Sequence, residues 1–277
     1  MIGRVLIIAG SDPSGGVGIQ ADIKTVTALG GYASSVITAL TVQNTKGVHR
    51  IHAAPPDLIG EQIEAVFSDI GADAIKIGMI GSAENGAAIF SALEKAGWST
   101  DGTGKTSQII PVVFDPVMAA TSGDALASEG VAQFIIDHML AKTMLVTPNI
   151  IEASQLTGIA IENTDDQHRA GEALLALGAK AALVKGGHLK GRVLTDVLIT
   201  HRGAHCFESP FIDTTSTHGT GCTLASAIAT GLSQKMALPL AIERAIDFTH
   251  QAIKTAPGLG RGHGPLNHGH TFKVDPQ

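Results

Sequence analysis

Short, continuous apolar runs recur along the first two thirds of the chain, at Val5–Ala9, Ser35–Val42, Ala74–Ile77, Ile109–Phe114, Met144–Val146 and Ala181–Val184. A strand that is apolar on both faces must be covered on both faces. Helix-length segments separate most of these runs, at Ile19–Leu29, Leu58–Ile70, Ala83–Ala96, Ser128–Leu140 and Gln167–Leu177. Strands alternating with helices of this length predict βαβ units and a three-layer α/β/α fold with a mostly parallel central sheet. Val193–Ile199 and His205–Phe207 flank a turn and predict a hairpin at the sheet edge, and helices over Thr220–Gln234 and Pro239–Ala256 close the fold. Ser99–Ser107 reads as a polar surface loop. With no repeat or linker, residues 1–277 are expected to form a single domain.

Composition narrows the function classes. Aromatic residues are only 4% against 44% hydrophobic residues, so the core must be built from aliphatic side chains and alanine. A formal charge of −6, without any basic run, argues against a nucleic-acid partner. No run is long enough to span a bilayer, and the opening Val5–Ala9 run is too short for a signal peptide. Cys206 and Cys222 form neither a disulfide framework nor a zinc spacing. The expectation is a soluble, cytoplasmic protein with no membrane contact.

In sheets of this kind ligands bind beyond the carboxyl ends of the strands. Polar clusters fall there: Ser11–Gly18, Gln43-Asn44, Gly78-Met79, Asp115-Pro116, Thr147–Glu152 and Lys185–His188. The sharpest is His218-Gly219-Thr220-Gly221-Cys222-Thr223, which runs directly into an alanine-rich helix. A helix start leaves backbone N–H groups without partners and carries partial positive charge, which suits a phosphate. Cys222 in that first turn is placed where a thiol can be drawn toward thiolate. For the hexapeptide alone, a turn with a core cysteine is the better account; the clusters around it favour an enzyme.

The remaining clusters each admit two readings. Gly10–Gly18 is glycine-rich but lacks both the Walker lysine and the dinucleotide spacing. Asp22 can turn a carboxylate into a pocket, or sit on the surface complementing a helix dipole. Gln43 offers an amide that donates and accepts at once, as a heteroaromatic edge requires, while Asn44 also suits a plain turn. Asn149 and Glu152 have the spacing of a helix capping box, and Glu152 can equally serve Mg²⁺, which takes few carboxylates. Lys185 at a strand end can meet a nucleotide phosphate or simply face water. The histidines of Gly262–His270 alternate with Gly and Pro and read as a packed or mobile tail rather than a metal site.

Taken in order, Ala9–Asp22, Thr41–Thr45, Lys76–Met79, Asp115–Met118, Ser122–Asp124, Thr147–Asn149, Glu152, Lys185–His188 and Thr217–Thr223 resemble the hydroxymethylpyrimidine/phosphomethylpyrimidine kinase family of thiamine biosynthesis, within the ribokinase-like fold. The match runs from about Val5 to His268. The resemblance implies a kinase that uses ATP and Mg²⁺ to phosphorylate 4-amino-5-hydroxymethyl-2-methylpyrimidine, and then its monophosphate at the same site. It places Asp22 and Gln43 on the pyrimidine edge and Met79 against the ring. It puts Asn149 and Glu152 in the metal–phosphate region, with Lys185 and Thr217 near the nucleotide phosphates. Gly219, Thr220 and Gly221 become the anion hole and Cys222 the base that takes the hydroxymethyl proton. A homodimer is implied as well. Ser216, where many members have asparagine, and Thr121, where lysine is common, depart from the pattern; the second bears on the monophosphate step. Pyridoxal kinase on the same scaffold is the nearest alternative, and a non-catalytic pyrimidine-binding module the more distant one.

Overall fold

In the computed structural model, which describes residues 2–99, 109–120, 123–124, 126–187 and 192–272, the apolar runs become neighbouring strands of one sheet. In chain order these are β1 (Arg4–Ser11), β2 (Tyr32–Asn44), β3 (Gly47–Ala53), β4 (Ala74–Ile77), β5 (Val112–Phe114), β6 (Leu145–Val146), β7 (Ala181–Val184), β8 (Val193–Thr200) and β9 (Gly203–Pro210). The spatial order is β3-β2-β1-β4-β5-β6-β7-β8-β9. From β2 to β7 the strands are parallel; β3 at one edge and the β8–β9 hairpin at the other are antiparallel.

Helices cover both faces, as strands apolar on both sides require. One face carries α2 (Pro56–Asp69), α3 (Ala83–Lys95), α4 (Val131–Phe134), α5 (Ile150–Thr157) and α6 (Thr164–Ala176); the other carries α1 (Gly18–Ala28), α7 (Thr220–Ser233) and α8 (Leu238–Lys254). Strand β1 feeds both cores by its pleat: Leu6 and Ile8 join the first, Val5, Ile7 and Ala9 the second. Helix α7 is buried from Thr223 to Ser233. Its small side chains let it lie close to its neighbours, and at Gly231 an added Cβ would come within 2.8 Å of Ala241 Cβ on α8.

Two regions differ from the sequence expectation. Strand β3 went unread because none of its residues is buried, so it carries no apolar rhythm. The helix expected over Ser128–Leu140 is only a short α4 followed by a wider π-helical turn at Ile135–Met139 and a 3₁₀ turn at Leu140–Lys142. Met139 and Leu140, where the π-helical turn passes into the 3₁₀ turn, are both fully buried. Beyond Ser99, the expected Ser99–Ser107 loop lies outside the described residues, as do Thr121, Ser122 and His188. No described helix is long and apolar enough to cross a membrane.

Candidate active site

The carboxyl ends of β1, β2, β4, β5, β6 and β7 open on one cavity of about 910 Å³, within the range of small-molecule sites. Of the residues given a catalytic, substrate, phosphate or metal role from the sequence, all line it except Asp22. Helix α7 begins at its centre. Gly219 there has φ of +94°, and a side chain at this position would drive its Cβ to 2.0 Å from the Gly16 carbonyl oxygen. No side chain caps the helix. Thr220 instead donates its hydroxyl back to the Thr217 carbonyl at 2.8 Å. The helix start therefore turns its backbone donors to the cavity, the arrangement an anion needs.

Beside it stands an ion pair. Lys185 Nζ, at the end of β7, donates to Asp115 Oδ1 at 2.9 Å, and Thr147 Oγ1 donates to the same oxygen at 3.2 Å. Gly221 leaves room for both partners: a Cβ there would sit 3.2 Å from Lys185 Nζ and 3.2 Å from Asp115 Oδ2. Burial alone would lower the Lys185 pKa, but Asp115 and Glu152 override it and raise it, so the ammonium stays charged. Asn149 and Glu152 form the capping box of α5: Asn149 Oδ1 accepts from the Ile151 and Glu152 amides at 2.9 Å, and Glu152 Oε2 accepts from the Asn149 amide at 2.8 Å. Capping uses one carboxylate oxygen and leaves the other for the cavity. Burial, helped by the Asp115 charge and opposed by Lys185, pushes the Glu152 pKa up to about 7.

Two sequence expectations are corrected. Asp22 does not reach the cavity. It is wholly buried, its two oxygens 3.0 and 2.8 Å from Lys76 Nζ, and Ser226 Oγ donates to Oδ1 at 2.7 Å. The carboxylate is consumed in holding a lysine, because Lys76 sits in an otherwise apolar strand on the face that α1 and α7 cover. Lys76, not Asp22, lines the cavity. Burial would lower the lysine's pKa, and the Asp22 charge reverses the sign and raises it.

The second correction concerns Cys222. It lines the cavity as expected, but its thiol is not drawn toward thiolate. Burial pushes its pKa up to about 11, and the nearby Asp22 and Asp115 charges add to that. Lys76 and the Gly18 amide favour the thiolate and are outweighed. Cys222 is therefore a neutral thiol lining the cavity.

On the opposite wall are Gln43 and Met79. Met79 is anchored by the Thr38 hydroxyl, which donates to its carbonyl at 2.7 Å. Close by, Asp12 accepts from Ser14 N and Oγ at 2.8 Å, Gly16 N at 2.9 Å and Val17 N at 3.0 Å, shaping the β1–α1 loop. Burial would raise its pKa, but His218, Ser14 and Val17 override it and hold it at about 2. The histidine-rich tail is a packed strap: the His263 amide donates to Thr45 O at 2.8 Å and the His218 amide to Gly264 O at 3.1 Å. Its side chains serve the same packing, with His263 Nδ1 and Thr217 Oγ1 3.2 Å apart and His268 Nε2 2.9 Å from Thr223 Oγ1. Among the described residues no three His, Cys, Asp or Glu side chains group as a metal cage.

An uncapped helix start beside a buried lysine, in a cavity that also carries an amide, is the outline of a site for an anionic ligand. The phosphomethylpyrimidine kinase family model matches residues 12–267. The chain belongs to the phosphomethylpyrimidine kinase family. It is 42% identical to a Rhizobium meliloti hydroxymethylpyrimidine/phosphomethylpyrimidine kinase, across 99% of this chain and 100% of that one. It is 48% identical over 96% of its length to a Geobacter sulfurreducens thiamine biosynthesis bifunctional protein, of which it spans 52%. Among solved structures, an ADP complex of Bacillus subtilis pyridoxal kinase superposes with a TM-score of 0.85 at 32% identity, covering 97% of this chain and 98% of that one. The three-layer fold expected from the strand–helix alternation is therefore the ribokinase-like fold that this family shares.

Several residues of the site carried no assigned role in the sequence reading. Lys76 had a signal, a charge inside the apolar run Ala74–Ile77. Asp115 stood at a strand end without an expected partner. His218 stood in the sharpest motif, yet nothing in spacing alone linked it to Asp12 and Gln43. Thr249 on α8 lines the cavity with a buried hydroxyl that has no partner among the described residues, which only packing reveals.

Proposed function

We propose that this chain phosphorylates 4-amino-5-hydroxymethyl-2-methylpyrimidine with ATP, and then its monophosphate, as a hydroxymethylpyrimidine/phosphomethylpyrimidine kinase of thiamine biosynthesis. One observation carries the reading: a single cavity holds the open start of α7 between Lys185 on one side and Gln43 with Met79 on the other. Full-length similarity to the Rhizobium meliloti kinase supports the substrate.

Phosphoryl transfer asks for alignment and charge stabilisation more than for covalent help. The pyrimidine rests against Met79 with Gln43 at its edge, so the hydroxymethyl oxygen approaches the start of α7. Its attack on the γ-phosphorus breaks the bond from that phosphorus to the β–γ bridging oxygen and releases ADP, while the hydroxyl proton passes to an oxygen of the transferred phosphoryl group and from there to water. The backbone amides of Gly219, Thr220, Gly221 and Cys222 meet the migrating charge, and Lys185 adds a fixed cation. Asn149 and Thr217 border the phosphate path. Thr249's unpartnered hydroxyl fits a nucleotide base, since a buried hydroxyl costs free energy until bonded. Glu152's free oxygen and neighbouring Asp115 suit Mg²⁺, a hard cation that keeps most of its waters. Bound there, it would neutralise charge on the ATP phosphates.

Cys222 as a neutral thiol places and shapes the acceptor rather than serving as a ready base. An arriving phosphate adds negative charge and disfavours the thiolate further. The second step needs no base, because a phosphate monoester is already largely ionised. Two copies pairing through the β2–β3 edge are proposed from the exposed Leu40, Val42 and Ile51 there. Free thiols at Cys206 and Cys222 accord with a cytoplasmic setting.

An assay with magnesium and ATP, offering hydroxymethylpyrimidine, its monophosphate and pyridoxal separately and resolving products by mass, tests the proposal. Both pyrimidine monophosphate and diphosphate are expected. Phosphorylation of pyridoxal alone would keep the site and overturn the substrate.

A further inference from the structure

The Gln43 carboxamide is held between two partners whose protons decide which way it faces. Thr41 Oγ1 lies 3.2 Å from Gln43 Oε1, and His218 Nε2 lies 3.5 Å from Gln43 Nε2. Thr41 and Gln43 are two residues apart on β2, and the β2–β3 register slips between Val42 and Gln43, where β3 carries one extra residue. Such a bulge re-aims a side chain at a functional site.

The protons do not suit that orientation. Thr41's hydroxyl has one proton, and the Ser11 carbonyl oxygen claims it at 3.0 Å. Toward Gln43 the hydroxyl can then only accept, so it calls for the amide's N–H end. His218 is buried, and its Nε2 also lies 3.4 Å from Asp12 Oδ2. Asp12 already accepts from three backbone amides and the Ser14 hydroxyl, the environment of an ionised, acceptor-only carboxylate. It requires the imidazole proton on Nε2. That nitrogen then donates toward Gln43 as well, and calls for the amide's oxygen. A half-turn of the carboxamide satisfies both neighbours at once, because its two ends are equal in size.

We infer that His218 is a specificity-determining residue of the kinase: with its proton held by Asp12, it fixes the Gln43 amide with oxygen toward His218 and nitrogen toward Thr41. The inference rests on the reading that this cavity takes an aminopyrimidine. So fixed, Gln43 has one lone pair and one N–H left for a ligand, in a set order. A ring edge with an amino group beside a ring nitrogen matches that order. An edge with an oxo group beside a ring N–H presents the reverse order and is refused. An amide free to turn would take either. Gly16 is part of the device: His218's ring lies on it so closely that a Cβ at Gly16 would fall 2.2 Å from His218 Cδ2.

The test compares the 4-amino alcohol with its 4-oxo counterpart, by kcat and KM and by calorimetric binding without ATP. The wild type should prefer the amino compound. His218→Phe keeps a ring against Gly16 but removes the proton, and should shrink the preference about tenfold, the worth of roughly one hydrogen bond. The change should fall on KM and binding rather than kcat, mainly through better acceptance of the oxo compound. Thr41→Val, on β2 and away from the His218 loop, frees the other end of the amide and should shrink the preference too, so a poorly folded His218 variant does not decide the matter. An unchanged preference in the folded variants, with both compounds weakened alike, would overturn the inference. Failure of the wild type to bind either pyrimidine would overturn the substrate reading beneath it, and this inference with it.

Discussion

Lys76–Asp22 and Lys185–Asp115 are the same chemical pair at the same end of one sheet, and they differ in what is left over. Asp22 holds Lys76 through both oxygens and takes a third bond from Ser226; both charged side chains are 0% exposed. Lys185 meets a single oxygen of Asp115 and keeps 13% of its side-chain surface open, facing the start of α7. The first pair is closed, so its worth is to the fold and to the fixed charge of the cavity floor. The second has donors to spare, so its worth is to a ligand. Surface left open to the cavity, together with spare donors, separates the functional charge from the structural one.

The largest effect that would break this comparison is on stability. Lys76→Met strands the Asp22 carboxylate and should cost about 3–5 kcal/mol, read by urea unfolding. Adding Asp22→Leu should recover much of that loss, since an apolar pair replaces the stranded charge. Lys185→Met should cost far less stability, because Asp115 borders a cavity that water enters. If both single variants lost equal stability, the two pairs would not differ as argued.

Activity gives the converse. Lys185→Met should lower kcat/KM about 10²–10³-fold, the scale of removing a group that meets transition-state charge. Its melting temperature should stay near that of the wild type. A small kinetic loss would remove Lys185 from the phosphate path.

The surroundings of the two pairs were unequally legible in the sequence, for physical reasons. Apolar runs fixed the parallel strands because burial on both faces admits no polar interruption. β3 was silent because exposed strands obey no such rule. The Asn149–Glu152 capping box was readable because capping is local. Asp22 was misplaced because its partners, Lys76 and Ser226, are 54 and 204 residues away. Cys222 was placed correctly, yet its protonation depends on burial and on charges from three other elements, which no local pattern carries.

A pH effect sharpens the picture of the β1–α1 loop. Asp12 is held at about 2 in the fold against an ordinary 3.8. Its contribution is present above the unfolded value and is lost as pH falls through the folded one, about 2 kcal/mol in all. Urea midpoints between pH 5 and pH 2.5 should fall less steeply in Asp12→Asn than in the wild type. Equal slopes would mean that the loop's hydrogen bonds do not depend on that charge.

The smallest effect separates the roles of the thiol. Cys222→Ala should slow phosphorylation of the alcohol and of the monophosphate alike, by about tenfold, as loss of a positioning group. A loss of about 10²–10⁴ confined to the alcohol step would restore Cys222 as the base.

The central claim is that this cavity is built for a pyrimidine alcohol. The most direct measurement is a competition: hydroxymethylpyrimidine and pyridoxal at equal concentration in one reaction with limiting ATP, the products resolved by mass. The product ratio reports relative kcat/KM without separate calibration. Pyrimidine mono- and diphosphate should dominate. A mixture dominated by pyridoxal phosphate would contradict the account.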